Sequence, residues 1–197
     1  MPVILSVLSL ALLAITPTDG TPDGVDRRFE QKLYPVTGET AAEIHRSLEA
    51  NGPKSGGRTF YGLTEFSMGY RYTPVSVAPS GGQCRASDVE VRIGITVTLP
   101  QWEKPRAADP DLVRAWRSFF NALLNHEEGH VRLADEAAER LRLRLLAMRG
   151  PCDTLGDQAK ALAERLSDLS AEQHISYDDR TEHGVKEGAV WTFTPDR

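Results

Sequence analysis

Only two cysteines and five histidines occur among the 197 residues, no Cys-x-x-Cys pair is present, and no apolar run is long enough to span a bilayer. Each scarcity excludes something. Without paired thiols at ligand spacing there is no basis for a thiolate metal site, and neither cysteine has the setting of a catalytic nucleophile. Positive charge is also short: 23 Lys and Arg against 28 Asp and Glu leave a net charge of -5, which offers no electrostatic footprint for nucleic acid. The one basic cluster, Arg140, Arg142, Arg144 and Arg149, falls in the last turns of an expected helix, where cations complement the helix dipole. It is read as structural.

The apolar stretch Val3 to Ile15 is interrupted only by Ser6 and Ser9. That is the length of a signal-peptide core and short of the roughly 20 residues a spanning helix needs. No Lys or Arg precedes it and no clean Ala-x-Ala site follows, though Ala14-Ile15-Thr16 or Thr18-Asp19-Gly20 would serve. Residues 1–20 are therefore expected to be a leader removed on export, or a membrane anchor if retained. Export also suits the cysteines, since Cys84 and Cys152 as an even pair in an oxidising compartment would close a long loop and stabilise by several kcal/mol. The expected location is secreted or periplasmic.

What the chain does have is His126-Glu127-Glu128-Gly129-His130. Two imidazoles four positions apart on a helix project from one face and can share a metal ion, with the first glutamate beside them. Neutral imidazole suits zinc, which in catalytic sites takes three protein ligands and keeps a position for water. Glu127 is placed to act as general base towards that water. Chance alone yields such a motif in roughly one chain per hundred of this composition, so context decides. Here it is helical: Phe119, Phe120, Leu123, Leu124 and Ala134 recur at three- and four-residue spacings, Asp109-Pro110 reads as an N-cap followed by proline, and the helix extends as far as Arg149 before Gly150-Pro151.

Around this helix the pattern alternates between strand and helix. Lys32 to Val36 is strand-like, Thr40-Ala41-Ala42-Glu43 is a capping box opening a helix that ends near Asn51-Gly52-Pro53, and Phe60 to Tyr72 is extended. From Val89 to Leu99 apolar and polar residues alternate strictly, with Pro100 as terminator. After Gly150-Pro151 a stripe of Ala159, Leu162, Ala163, Leu166 and Leu169 marks a further helix to about Gln173. Trp102, Trp116 and Trp191 are read as core or rim aromatics. The following segment, His174 to Gly184, holds two histidines, a tyrosine and three acids with no apolar period, and is read as a loop carrying site residues.

A third zinc ligand is sought there. His183 is favoured because histidine selects zinc more strongly than a lone carboxylate and Gly184 permits close backbone approach. His174, Glu164, Glu136 and Asp178 stay open as alternatives. Tyr177 is a candidate catalytic group, its phenol able to donate to a developing oxyanion, and Asp178 or Asp179 could orient a ligating imidazole.

Several of these segments together resemble a bacterial family known as domain of unknown function 922, described as predicted secreted zinc-dependent proteases. They are Tyr34-Pro35-Val36-Thr37-Gly38, Gly82-Gln83-Cys84, Thr98-Leu99-Pro100, His126-Glu127-Glu128-Gly129-His130 and Tyr177-Asp178-Asp179-Arg180-Thr181-Glu182-His183-Gly184. The resemblance implies a site made of His126, Glu127, His130 and the Tyr177 to Gly184 run. The sequence thus sets out an α+β, zincin-like domain over 27–197, with a small, mostly antiparallel sheet packed on a long metal-binding helix. Its expected cofactor is Zn2+ and its expected activity is peptide-bond hydrolysis on a protein or peptide substrate. The rival readings are a zinc-binding domain without turnover and an amidase acting on cell-wall peptides. Substrate preference and oligomeric state are not legible.

Overall fold

Alternation from Val89 to Leu99 is the strongest local instruction in the chain, and it produces the spine of a four-stranded sheet. The computed structural model describes residues 24–192 apart from 78 and 80, so the leader expected at 1–20 lies outside the described residues. In chain order the elements are β1 (Val25–Val36), α1 (Ala41–Asn51), β2 (Lys54–Ser55), β3 (Arg58–Thr59), β4 (Leu63–Ser76), β5 (Gln83–Trp102), α2 (Pro110–Leu146), β6 (Arg149–Pro151), α3 (Leu155–Thr181) and a 3-10 turn (Val185–Glu187). β5 lies between a parallel β1 and an antiparallel β4, and β6 pairs antiparallel with its first residues. β2 and β3 form a separate antiparallel hairpin. The architecture is α+β with mainly antiparallel pairing, as the sequence pattern indicated.

One face of β5 is the core. Val91, Ile93, Ile95, Val97 and Leu99 are each 1% exposed or less, and together their burial contributes on the order of 10 kcal/mol before conformational entropy is set against it. β5 does not stop at Pro100, as expected, but continues to Trp102 beside β1. Pairing with β4 ends at Thr98, so beyond it β5 has a partner on one side only, and proline is tolerated as at a sheet edge.

Against that face lies α2. Asp109 caps it by accepting from the Asp111 amide at 2.9 Å, with Pro110 at the first turn. Trp116, Phe119, Leu123, Ala134, Ala138, Leu141 and Leu145 form its buried stripe, and the alanines let the helix come close to the sheet. An ion pair from Arg27 Nε to Asp135 at 2.8 Å fastens β1 to the same helix. α2 ends at Leu146, short of Arg149, because Arg149–Pro151 is drawn into pairing with Gln83–Arg85 and the Cys84–Cys152 disulfide closes beside it. Arg149 donates to the carbonyls of Leu146 and Met148, so that part of the basic cluster does serve the helix end.

The largest departure from the sequence reading is α3. It runs to Thr181, not to Gln173, and so takes in most of the segment read as a loop. Leu169, placed on the buried stripe by pattern, is 41% exposed, while Ser170 one position on is buried. The inward stripe passes through Ala159, Leu162 and Ser170 to Thr181. The capping box of α1 forms as expected, and Trp102, Trp116 and Trp191 join Phe119 in one aromatic cluster.

Candidate metal centre

Helical geometry settles half of the site. On α2, His126 and His130 stand one turn apart on one face, with ring centroids 4.9 Å apart and both side chains almost fully buried. On α3, His174, Tyr177, Asp178 and Thr181 are spaced at i, i+3, i+4 and i+7, which puts them on one face as well. The two faces meet. Asp178 Oδ1 lies 3.2 Å from His126 Nε2 and 2.9 Å from His130 Nε2, and ligand atoms of the three residues all fall within 4.8 Å of one another. Two ligands about 2 Å from a tetrahedral zinc stand roughly 3.3 Å apart. The donor set of two imidazole nitrogens and one carboxylate oxygen therefore fits a divalent cation in both type and spacing.

Each imidazole is also held from behind. His126 Nδ1 donates to Glu187 Oε2 at 3.0 Å, and His130 Nδ1 meets His174 Nδ1 at 2.9 Å. Burial, then the charge of His130, pushes the His174 pKa down to about 4, so it stays neutral and able to accept from His130. Its ring stacks on Phe66 of β4, and its Nε2 is buried without a partner. For His126 burial disfavours the charged form, but Asp178, Glu127 and Glu187 outweigh it and raise the pKa. Burial likewise opposes ionisation of Asp178, and the two facing imidazoles overcome it, holding the carboxyl far below its usual range. Such a carboxylate is ionised whenever a cation arrives.

Glu127 is 3% exposed and faces the other way along the turn, towards β4. Thr64 Oγ1 donates to its Oε2 at 2.7 Å. Desolvation dominates here and raises its pKa above the ordinary carboxylate value. Glu127, His126, His130, His174, Asp178 and His183 all line one cleft of about 690 Å³, closed on its other sides by Phe60 to Thr64 and by Val185, Ala189 and Val190.

Tyr177, expected to face a substrate, lies behind His126. Its ring stacks on that imidazole at 5.1 Å and 15°, and its hydroxyl donates to Glu187. Burial and the Glu187 charge push its pKa up to about 12. This location explains Gly129 in the motif: a Cβ there would stand 2.5 Å from Tyr177 Cζ. His183, the favoured third ligand, is in the cleft, with Nδ1 3.5 Å from Asp178 Oδ2 and its ring edge-on to Phe60, but it lies outside the close group of three. Of the alternatives, Asp178 is in that group, His174 stands behind it, and Glu164 is engaged with Lys160 at the surface. Glu136 stays on α2, and His45 is at the protein surface against Tyr61. Sequence reading missed Glu187 and Thr64. Nothing in their local pattern marks them, whereas the helical spacing of His174, Tyr177 and Asp178 was available as a signal.

No curated protein and no solved structure matches the chain. A family model described as bacterial protein of unknown function, DUF922, matches residues 31–184, which takes in the second half of β1, the rest of the sheet, both histidines of α2 and the whole of the α3 face. With more than half of its length under that one model, the chain belongs to the DUF922 family.

Proposed function

We propose that this protein is an exported, zincin-like metallopeptidase in which His126, His130 and Asp178 hold zinc and Glu127 is the general base. The observation that carries the reading is the convergence of two imidazoles and one carboxylate from separate helices, with a second, buried carboxylate beside them in the same open cleft. A cation among the three would replace the protons through which Asp178 otherwise bonds both rings. Zinc, when bound, supplies a Lewis acid that acidifies a coordinated water and polarises a carbonyl.

The remaining steps fall to the chain. Glu127 would take the proton from the attacking water and return it to the leaving amine; desolvation moves its pKa in the direction that suits a base working near neutrality. Thr64 fixes one carboxylate oxygen and leaves the other free for that exchange. The cleft is lined on one side by the apolar Phe60, Leu123 and Val185 and is open enough to admit a chain segment, which supports a protein or peptide substrate. Among the described residues, β4 has no strand on its outer side, so its unpaired backbone passes the cleft as a surface for an extended peptide. The disulfide supports an oxidising compartment, and no described helix is long and apolar enough to cross a membrane.

Cleavage of an unstructured protein substrate by the zinc-loaded protein, with E127Q still binding zinc but inert, is the expected result. Equal phenotype and zinc content in both proteins, with no cleavage by either, would instead fit a metal-binding domain without turnover.

A further inference from the structure

Past the end of α3 the chain turns sharply and crosses α2, and this strap carries Glu187. Gly184 passes so near His126 that a Cβ on it would lie 2.9 Å from the ring carbon Cγ. The Glu187 and Ala189 amides both donate to the Gly184 carbonyl at 2.9 Å, which fixes the turn. Beyond it, Ala189 is buried, and Trp191 sits in the aromatic cluster 5.7 Å from Trp116 and 5.6 Å from Phe119, donating from Nε1 to the Ala41 carbonyl at 3.0 Å. The strap is thus tied at both ends. Between the ties, Glu187 Oε2 accepts from His126 Nδ1 at 3.0 Å, and the Tyr177 hydroxyl donates to the same carboxylate.

A surface ion pair would be loose and worth little. This carboxylate is fixed instead by a pinned backbone and a second donor. It lies at the nitrogen opposite the one aimed at Asp178, so it orients the ring without joining the close group. We propose that Glu187 is a positioning residue of the metal centre: by accepting the Nδ1 proton it keeps the Nε2 lone pair of His126 directed at the cation, with Tyr177 and the Trp191-anchored strap holding it there. The inference rests on the metal reading above. It adds a functional element beyond residue 184, where the family match ends.

The test measures zinc affinity of the full chain by competition with a chromophoric chelator, beside thermal midpoints of the chelator-treated proteins. Carboxylates that orient metal-bound histidines typically contribute about 10–100-fold in affinity. E187A is expected to lose that much while its thermal midpoint without zinc stays at the wild-type value. E187Q, whose amide oxygen still accepts from Nδ1 without the charge, is expected between the two, and K186A on the same strap is expected to bind zinc as the wild type does. Wild-type affinity in E187A, or a loss matched by a fallen midpoint without zinc, would overturn the assignment. Failure of the wild type itself to take up zinc would sink the metal reading first, and is told apart because it needs no variant.

Discussion

Two helices meet at the cleft, and they announce themselves in opposite ways. α2 puts its site residues, His126, Glu127 and His130, inside a clear apolar stripe, so the surrounding leucines and phenylalanines report the helix and the motif reports the face. The end of α3 puts His174, Tyr177, Asp178 and Thr181 on a face with the same period but almost no apolar members. A helix face buried against another polar face needs partners, not hydrophobicity. The lesson is that a 3.6-residue period can be carried entirely by groups that titrate or hydrogen-bond.

If the two faces act as one centre, breaking either should release the cation. The largest effect is expected from H126A and H130A, which remove ligands from α2: zinc affinity should fall well beyond the ~10–100-fold typical of outer contacts, read by chelator competition. Retained affinity in both would dissolve the comparison altogether.

Next comes E127Q, which leaves both ligand faces alone. Proteolytic rate should fall by roughly 10²–10⁴ with zinc content unchanged. The same variant should raise the thermal midpoint of chelator-treated protein, because Gln keeps an acceptor for Thr64 and removes a buried charge. Burial raises the Glu127 pKa in the folded protein, so its contribution to stability is complete below the unfolded value and is lost as pH rises through the folded one. The advantage of E127Q should be absent below about pH 4.5 and grow towards neutrality, and a pH-independent difference would contradict it.

H183A separates the original expectation from the observed geometry. With Asp178 in the close group and His183 3.5 Å from its other oxygen, the substitution should cost at most ~10–100-fold in zinc affinity, as an outer contact does. A loss equal to that of H130A would return His183 to the role of ligand.

The smallest effect probes the seam between the helices. Gly to Ala inside a helix ordinarily stabilises by about 1 kcal/mol. G129A should instead destabilise by about 1–3 kcal/mol, because the new methyl meets the Tyr177 ring, and Tyr177→Ala in the same chain should recover part of the loss in a double-mutant cycle. Stabilisation by G129A alone would mean that the Tyr177 ring of α3 does not pack over Gly129.

Most of the scaffold was legible because each element carried its own marker: the capping box at Thr40, the alternation along β5, the Asp109-Pro110 start of α2 and the paired cysteines. Boundaries failed where a neighbour decided them. Pro100 stays in β5 because β1 pairs past it, and α2 stops early because β6 is claimed by β5. At the site, the placement of His126 and His130 together on one face of α2 was readable from the motif. Asp178 was named only among alternatives, since no apolar stripe continued α3 through this stretch and its helical period is carried by polar groups alone. Glu187 and Thr64 come from elements distant in sequence, and only the packed fold brings them to His126 and Glu127.

The proposed metal centre needs a carboxylate from α3 to complete what α2 begins. The most direct measurement is zinc binding to purified full-length protein and to its D178A variant. One tightly held equivalent in the wild type, lost in D178A while the disulfide-bonded fold persists by circular dichroism, is the predicted result. A D178A protein that binds zinc as tightly as the wild type, or a wild type that binds none, would contradict it.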